Sequence, residues 1–338
     1  MTAQRTGYGI TGCGYFGTAQ ARVLAALPGA RVAAVHSGTG AGATRIAAEL
    51  GCVVCPTLDD LVAHPEVDAV IVATPNHLHR EPVIRAAAHG KHVFCEKPLA
   101  LSLADCDAML AACREADVTL MVGHILHFHS GMVQVRQWLD DGIIGRPLVA
   151  HVERTGWEPP RAQVSWKKMQ ALSGGHLFHH IHEIDLLLWY FGPVREVYAT
   201  GGNLAHHGAG YGDEDDVILL TLRFANGAVG SMQYGSGFRW GEHLIKLNGT
   251  EGAILVDNKA GAMHVLQADR TQVRHPLFAD AASQASLQRL FAATDGGTAY
   301  GTPADRLPAY LGDMLVAEMR CFHDVLNGAA ITAPQARL

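Results

Sequence analysis

The sequence predicts an α/β protein with a doubly wound parallel sheet in its N-terminal domain and a strand-rich second domain. Its 338 residues are many for a single core, which favours two domains. Strands alternate with helices as far as residue 122, a pattern typical of a parallel sheet with helices on both faces. Beyond residue 192 the predicted elements are mostly strands. We place the boundary between residues 1–123 and residues 124–338.

The first strand breaks into a helix at a glycine-rich turn. Gly12, Gly14 and Gly17 have the spacing G-x-G-x-x-G, in which the first glycine makes a tight turn and the second lets a pyrophosphate approach the backbone. The third glycine lets the helix pack closely on the strand. A helical apolar pattern follows, and residues 31–36 then form a second apolar strand. This context predicts a dinucleotide site rather than a structural glycine turn.

The other elements of the first domain continue the alternation. We predict helices at residues 38–51, 81–89 and 104–116, and strands at 53–54, 68–73, 92–95 and 118–122. In a doubly wound sheet the ligands bind at the carboxyl ends of the strands. The loops that follow the strands at 68–73 and 92–95 should therefore face the cofactor.

The end of the second strand bears on the choice of cofactor. An acid there would accept hydrogen bonds from the adenosine ribose and repel the 2′-phosphate of NADP. The chain instead has His36, Ser37, Gly38 and Thr39. NADP is thus permitted and NAD is not excluded, and the cofactor is NAD or NADP with a slight lean to NADP. Arg45 is the nearest cation, with a solvent-facing arginine as the alternative.

Two loops supply polar groups to the predicted cleft. One starts at Thr74, and the other is Glu96-Lys97-Pro98, where the lysine would hold a substrate hydroxyl and an emerging alkoxide. A surface ammonium is the alternative for Lys97, and bonds to the backbone are as plausible as ligand contacts for His77 and His79. The predicted cofactor-binding residues are Gly12, Gly14, Tyr15, Phe16, Gly17, Ser37, Thr74, Pro75, Asn76, His79, Glu96 and Lys97.

Composition excludes several classes of partner. The net charge of −6 and the lack of basic blocks argue against nucleic acid and anionic membranes. No apolar run approaches the ~18 residues of a membrane span, so we expect a cytoplasmic protein. Seven scattered cysteines are expected to be reduced thiols, with Cys52 and Cys55 packing in a core rather than forming a redox pair.

The glycine turn, the loop at residues 73–76 and Glu96-Lys97-Pro98 together resemble the Gfo/Idh/MocA oxidoreductase family. The resemblance implies an N-terminal Rossmann domain and a C-terminal α+β domain with a large, open, mostly antiparallel sheet. It also implies redox chemistry at a carbohydrate or polyol hydroxyl, with Lys97 as a catalytic or substrate-binding group. Family members commonly pair subunits through the open sheet, so a homodimer or homotetramer is expected.

Histidine and acidic side chains are most concentrated at residues 174–189. We interpret this segment as one helix with an apolar stripe of Leu177, Ile181, Ile184 and Leu188. By the resemblance, His182 is the proton acceptor or its partner, three residues before Asp185. The family often has an aspartate where this chain has Phe178, and His179 would fill that space. A histidine base is chemically sensible because its ordinary pKa lies near neutrality. We predict Lys97 and His182 as catalytic.

The remaining substrate contacts are predicted from the second domain. His127 stands where the family commonly has an arginine, and Trp166 falls in a segment that could close over the cleft, although tryptophan more often packs in a core. The predicted substrate-binding residues are His127, Trp166, His179 and Asp185.

Two alternatives concern metal ions. His176, His179, His180 and Glu183 share a predicted helix face and could ligate a divalent metal. Neighbours on one helix rarely converge without a ligand from elsewhere, so no metal is predicted, and hydrogen-bonded polar residues are the simpler interpretation for His180 and Glu183. The acidic loop at residues 212–216 could bind a cation, but a solvated turn is the default.

For the rest of the second domain, the sequence predicts only the positions of helices and strands. A helix is predicted at residues 133–139 and strands at 148–153, 194–199, 217–224, 229–234, 244–247 and 253–256. The strands at 217–224 and 229–234 should form a hairpin. Residues 258–305 show little pattern, and a closing helix is predicted at 310–326.

Three functions remain open at this stage. The favoured function is an NAD(P)-dependent dehydrogenase acting on a sugar, polyol or glycoside hydroxyl. The second is a lyase or glycosidase that keeps a bound dinucleotide and oxidises its substrate only transiently. The third is a non-catalytic dinucleotide sensor.

Overall fold

The computed structural model describes residues 5–294 and 307–330. These residues divide into two compact units, each with its own sheet. The first unit contains residues 5–125, Leu307 and 312–330, and the second contains residues 126–294 and 308–311.

The first unit is a doubly wound parallel sheet, as predicted. Its strands lie in the order β3-β2-β1-β4-β5-β6, and every neighbouring pair is parallel. The elements are β1 (Thr6–Thr11), α1 (Tyr15–Ala26), β2 (Ala30–His36), α2 (Ala41–Leu50), β3 (Val53–Val54), α3 (Leu58–Val62), β4 (Ala69–Val72), α4 (Arg80–Ala88), β5 (His92–Glu96), α5 (Leu103–Glu115) and β6 (Leu120–Gly123).

The strand order of the first unit reverses between β1 and β4. These two strands are direct neighbours, with Tyr8 paired to Ala69, and every residue of β4 is buried because helices cover both faces of the sheet. Ligands of such sheets bind in the crevice outside the carboxyl ends of the strands at this reversal. The fold therefore directs attention to the loops after β1, β4 and β5.

The second unit contains an eight-stranded open sheet. Its order is β14-β13-β12-β11-β7-β10-β9-β8, with β7 and β10 parallel and the other pairs antiparallel. The elements are α6 (Ser130–Asp140), β7 (Pro147–Thr155), α7 (Gln170–Ser173), α8 (Gly175–His179), α9 (His182–Phe191), β8 (Val194–Gly202), β9 (Val217–Phe224), β10 (Val229–Gly235), β11 (His243–Gly249), β12 (Gly252–Asp257), β13 (Ala262–Gln267), β14 (Gln272–Pro276) and α10 (Ala281–Thr294).

One face of this sheet forms a core with residues of α6 and α9, and the opposite face is open. The pairing registers place five exposed apolar side chains on the open face, although apolar residues on an antiparallel sheet normally face a covering layer. They are Val149, Tyr198, Leu219, Val229 and Leu266.

The segment that showed little pattern contains β13, β14 and α10. β14 is an edge strand with mostly exposed side chains, so it carries no apolar alternation that sequence reasoning could detect. The part of this segment from 295 to 306 lies outside the described residues.

The closing helix α11 (Ala309–Leu326) packs mainly against the first unit. The ring of Phe322 lies 6.3 Å from the ring of Tyr8 and 5.7 Å from that of Phe94, measured between centroids. The Tyr8 hydroxyl also lies 2.9 Å from His323 Nδ1. The predicted boundary places this helix in the second domain, because an amphipathic pattern does not show which core a helix covers.

Two further observations concern the class of protein. Within residues 5–294 and 307–330, no helix combines the length and hydropathy that crossing a bilayer requires. All seven cysteines are free thiols, and the cytoplasmic location stays a prediction.

Candidate active site

The glycine turn of the first unit is built so tightly that two of its positions need glycine. Gly12 has φ of +92°, and a Cβ added there would lie 2.5 Å from the carbonyl of Ala73. A Cβ at Gly17 would lie 1.9 Å from the carbonyl oxygen of Gly12. Strand β1, helix α1 and the end of β4 therefore meet by backbone contact, which places the turn directly beside the loop that starts at Thr74.

Gly14 is different, because it is exposed and an added Cβ would meet no atom within 4 Å. It is the N-cap of α1 and offers no side chain to the helix terminus. A helix N-terminus presents backbone N–H groups and the positive end of the helix dipole to an anion. The open space over Gly14 thus fits the pyrophosphate of a dinucleotide.

Arg45 of α2 stabilises this turn by hydrogen bonds. Its guanidinium donates to the carbonyl of Cys13 at 3.3 Å and to the hydroxyl of Thr18 at 3.0 Å. The alternative of a solvent-facing arginine is therefore wrong. Ser37 is partly buried just after β2, at the position where a dinucleotide-binding fold binds the adenosine ribose.

His79 links the two loops that follow β4 and β5. It is buried, with Nδ1 2.9 Å from the carbonyl of Pro98 and Nε2 3.0 Å from the carbonyl of Thr74. Burial lowers the pKa of His79 more than the two carbonyls raise it, so the ring is neutral and can donate to one carbonyl at a time. These contacts are to the backbone, and a direct contact of His79 with the cofactor stays a prediction.

The rest of the predicted cofactor site lies around these loops. Thr74 Oγ1 is buried and has no hydrogen-bond partner among the described atoms, which suits a polar group of a ligand. Asn76 is buried in a short 3-10 helix, Asn76–Leu78, and Pro75 is partly buried. Tyr15 and Phe16 begin α1 with their rings edge to face, 5.6 Å apart.

Glu96, the last residue of β5, precedes Lys97. Its carboxylate accepts a hydrogen bond of 2.6 Å from the amide of Gln20 in α1. It also accepts the backbone N–H of Lys97. The lysine loop is thereby tied to the helix that begins at the glycine turn.

In the second unit, the interpretation of residues 174–189 as one helix is wrong. Helix α8 ends at His179, His180 leaves helical geometry with φ of −111° and ψ of +40°, and α9 begins at His182. The break changes the phase of the apolar stripe, so Leu188 of the predicted stripe is 43% exposed. The buried side chains of α9 are Glu183, Leu186, Leu187, Tyr190 and Phe191.

Glu183 is the buried centre of the second unit's polar network. Its carboxylate accepts hydrogen bonds from Arg154 at 2.8 Å, the Tyr234 hydroxyl at 2.8 Å and His243 at 3.0 Å. Burial alone would raise the pKa of Glu183, but Arg154 and His243 hold it well below its ordinary value. The ionised carboxylate therefore fastens α9, which carries His182 and Asp185, to strands β7, β10 and β11.

The structure brings two predicted substrate-binding residues together. His127 Nε2 lies 2.7 Å from a carboxylate oxygen of Asp185, and the imidazole stacks on Trp189 with ring centroids 4.4 Å apart. A carboxylate bonded to one ring nitrogen fixes the orientation of an imidazole. His182 lies one helical turn before Asp185 and is partly buried.

The other histidines form a cluster around the helix break. The rings of His176 and His180 lie 4.6 Å apart, those of His179 and His180 lie 4.8 Å apart, and Trp166 meets His179 edge to face at 6.4 Å. Across residues 5–294 and 307–330, no three His, Cys, Asp or Glu side chains converge in a way that would hold a metal ion. The break at His180 separates the ligands that a single helix would have aligned.

The acidic loop at residues 212–216 is bonded to other parts of the second unit instead of turning through solvent. Glu214 is bonded to Lys168 at 2.7 Å, and Asp213 accepts the backbone N–H of Gln170 at 2.7 Å. Asp216 accepts the backbone N–H groups of residues 204–206. The prediction of a solvated turn is therefore wrong, because these carboxylates are already committed to protein groups.

Sequence reasoning missed the side chains that hold Glu96 and Glu183 in place. Gln20 and Arg154 are ordinary polar residues in a helix and a strand. Tyr234 ends one predicted strand and His243 directly precedes another, with no motif around either. Their partners are far away in sequence, so no local signal could have identified them. Glu183 was predicted to be hydrogen-bonded, and the structure confirms this.

Comparison with known proteins supports the same assignment for both units. Residues 6–124 match the Gfo/Idh/MocA family model described as an NAD-binding Rossmann fold. Residues 136–288 match the model of the family's C-terminal alpha/beta domain.

Two relatives are described as 2,7-anhydro-N-acetylneuraminate hydratases. The Escherichia coli protein is 42% identical over 95% of this chain and 87% of its own length. The Mediterraneibacter gnavus protein is 40% identical over 96% of this chain and 87% of its own length. A levoglucosan dehydrogenase solved with NADH and levoglucosan has a TM-score of 0.79 over 97% of this chain and 92% of that one, and at 24% identity it shows the shared fold.

The substitution Glu183→Gln should destabilise the protein strongly at pH 7. It removes the buried carboxylate that pairs with Arg154, and breaking a buried pair in this way costs about 3–5 kcal/mol of unfolding free energy. Because the folded pKa of Glu183 is depressed, its stabilisation is present above the ordinary glutamate value and is lost as pH falls through the folded value. Denaturant titrations at pH 7 and in acid measure both effects.

The matched control is Glu196→Gln, which removes an exposed ion pair with Arg223 in the same unit and should leave stability nearly unchanged. Equal losses in the two variants would contradict the assignment of Glu183 as the anchor.

Proposed function

The chain belongs to the Gfo/Idh/MocA oxidoreductase family, and from that premise we propose that it opens 2,7-anhydro-N-acetylneuraminate by net addition of water. The observation that carries this proposal is the similarity to two such hydratases along nearly the whole chain. It favours the lyase-type alternative of the sequence analysis over a net dehydrogenase.

The chemistry of this substrate explains why a hydratase would need a redox cofactor. The bond to be opened joins C2 to O7, and C3 separates C2 from the hydroxyl at C4. Bound NAD would supply a hydride acceptor for C4 and return the hydride at the end, so that no net oxidation occurs. While C4 is a ketone its neighbour C3 is acidic, so C3 can lose a proton as O7 leaves from C2. Water can then add at C2 as C3 regains a proton, and return of the hydride to C4 gives N-acetylneuraminate.

We assign the proton transfers to the residues predicted from sequence. His182 would accept the proton of the C4 hydroxyl, and the Lys97 ammonium would stabilise the alkoxide. His127, oriented by Asp185, would exchange a proton with C3 or with the departing O7. His179 and Trp166, which contact each other, would line the sugar.

The direct test supplies the purified protein with 2,7-anhydro-N-acetylneuraminate and a substoichiometric amount of NAD. Many molecules of N-acetylneuraminate should form per NAD while the absorbance of NADH stays near its starting value. One NADH accumulating per substrate consumed would instead indicate a net sugar dehydrogenase. Normal NAD binding without turnover of any sugar would indicate a sensor.

Lys97→Ala and His182→Ala check the proposed roles in this assay. Each should lower kcat by about 10²–10⁴-fold, the usual contribution of a proton-transfer group, with NAD affinity changed far less. Exposed residues of the same types, Lys246 and His207, provide matched alanine controls. Full turnover in both active-site variants would show that the assigned roles are wrong.

We propose NAD as the working cofactor, supported by the family description and by the NADH bound in the structurally similar dehydrogenase. The slight lean to NADP finds no support in these comparisons. Arg45, the nearest cation, is also occupied by the glycine turn rather than offered to a 2′-phosphate.

Ser37→Asp should lower NADP affinity by at least about 10-fold, because a carboxylate at the end of β2 repels the 2′-phosphate. NAD affinity should stay equal or improve, and Ser37→Ala is the control for loss of the hydroxyl. Calorimetric titration measures both dissociation constants. Unchanged NADP binding in Ser37→Asp would mean that the adenosine ribose lies elsewhere.

We also propose that the open face of the second sheet pairs subunits. Its exposed apolar side chains support this, and so does the common pairing of subunits through this sheet in the family. The double variant Leu219→Lys/Val229→Lys should shift an oligomer towards the monomer in light scattering, because charges buried at an interface without partners are costly. Glu115→Lys, at an exposed site of the first unit, is the control. A wild-type monomer, or an oligomer unaffected by the double variant, would contradict the proposal.

A further inference from the structure

Gln20 is a long polar side chain at a buried position of α1. Its exposed fraction is 0%, and its amide oxygen has no hydrogen-bond partner among the described residues. Burying an amide costs free energy unless the amide forms hydrogen bonds, so any bond that offsets this burial comes from the NH₂ group. The other buried residues of α1 are small or apolar: Gly17, Thr18, Ala19, Ala21, Val23 and Leu24. The packing of the helix therefore does not explain why this position has a glutamine.

The partner of Gln20 is the carboxyl group of Glu96. The amide Nε2 donates to Glu96 Oε1 at 2.6 Å, which is shorter than the roughly 2.9 Å of most N–H···O hydrogen bonds. Glu96 is the last residue of β5 and is partly buried. The bond therefore joins the interior of α1 directly to the end of the strand that precedes Lys97.

The neighbouring strand β6 leaves room for this carboxyl group. Gly123 of β6 pairs with Glu96, and a Cβ added to Gly123 would lie 3.3 Å from Glu96 Cδ and 2.9 Å from the ring of Phe94. Both distances are tighter than most contacts of a Cβ atom, so a side chain at residue 123 would press on the carboxyl group. The carboxyl group of Glu96 is thus confined by β6 as well as bonded to α1.

These contacts place Lys97 relative to the glycine turn. Lys97 directly follows Glu96, and its backbone N–H donates to the Glu96 carboxylate. Gln20 lies only about 7.5 Å along the helix axis from Tyr15, the first residue of α1. The N-terminus of α1 is where the pyrophosphate of the cofactor is expected to bind. The helix that faces the cofactor and the loop that carries Lys97 are therefore joined by one buried hydrogen bond.

We propose that Gln20 is a positioning residue, which holds Lys97 in place beside the nicotinamide cofactor by fixing the carboxyl group of Glu96. Without the amide, the Glu96-Lys97-Pro98 loop keeps its bond to His79 but loses its link to α1. A shift of about 1 Å in a reacting group can cost about 100-fold in rate. The effect on turnover rests on the proposed role of Lys97, whereas the placement of its ammonium can be measured without any sugar.

The first test is Gln20→Leu, which keeps a side chain of similar size and removes the amide. It should lower kcat by about 10–100-fold, because Lys97 is displaced, while NAD affinity in calorimetric titration stays close to wild type. Gln288→Leu, at an exposed site of helix α10, is the matched control and should leave both quantities unchanged. A wild-type kcat in Gln20→Leu, or a loss of NAD affinity as large as the loss of kcat, would overturn the positioning role.

The second test reverses the hydrogen-bonded pair. Gln20→Glu places two carboxyl groups together, so it should lower both thermal stability and kcat. Adding Glu96→Gln restores one amide and one carboxyl group, and the double variant should regain most of the lost stability and at least about tenfold in kcat. Both gains are required, and a double variant that lacks either would overturn the proposal. This comparison also decides the matter if Gln20→Leu does not fold.

The third test measures the placement of Lys97 by chemical modification. Acetic anhydride acetylates accessible amines, and mass spectrometry gives the rate at Lys97. Saturating NAD should slow this reaction in wild type, because the cofactor covers the ammonium, and should protect less in Gln20→Leu. The exposed Lys246 is the internal control and should react equally in both proteins, with or without NAD. Equal protection of Lys97 in the two proteins, or none in wild type, would overturn the proposal, whereas failure of the hydratase assay would leave this measurement unaffected.

Discussion

The backbone contact between Gly12 and the end of β4 is the constraint on which the first unit's site depends. It exists because β1 and β4 are adjacent in the sheet at the point where the strand order reverses. No side chain fits there, so the glycine turn and the loop at Thr74 are held together by the backbone itself. His79 then extends this framework to the loop that carries Lys97. A rigid set of loops at the carboxyl end of the sheet suits a ligand with one ring that must contact several loops at once.

Both predicted proton-transfer residues adjoin a glutamate that is held by hydrogen bonds. Lys97 follows Glu96, which is held by Gln20, and His182 precedes Glu183, which is held by Arg154, Tyr234 and His243. A buried carboxylate with several donors fixes the backbone around it, because moving it would break all of its bonds together. The exposed part of each functional side chain can then respond to a ligand while its Cα stays in place. This arrangement separates the groups that position from the groups that react.

Local patterns predicted the first unit well and the second unit less well. Its strands are covered on both faces and its glycines have steric roles, so composition and spacing carried the information. The break at His180 escaped prediction because the apolar residues of the sequence keep a helical spacing through it. Strand β14 escaped prediction because an exposed edge strand has no apolar alternation. Gln20, Arg45 and Arg154 act through partners distant in the chain. Their roles follow from tertiary contacts that no window of sequence contains.

The central claim is that a hydroxyl is oxidised only transiently so that a neighbouring bond can open. Turnover of 2,7-anhydro-N-acetylneuraminate in D₂O, followed by NMR of the product, tests this most directly. The account predicts one solvent deuterium at C3, which passes through an acidic state, and the original hydrogen at C4, to which the same hydride returns. A product without deuterium at C3 would contradict the account.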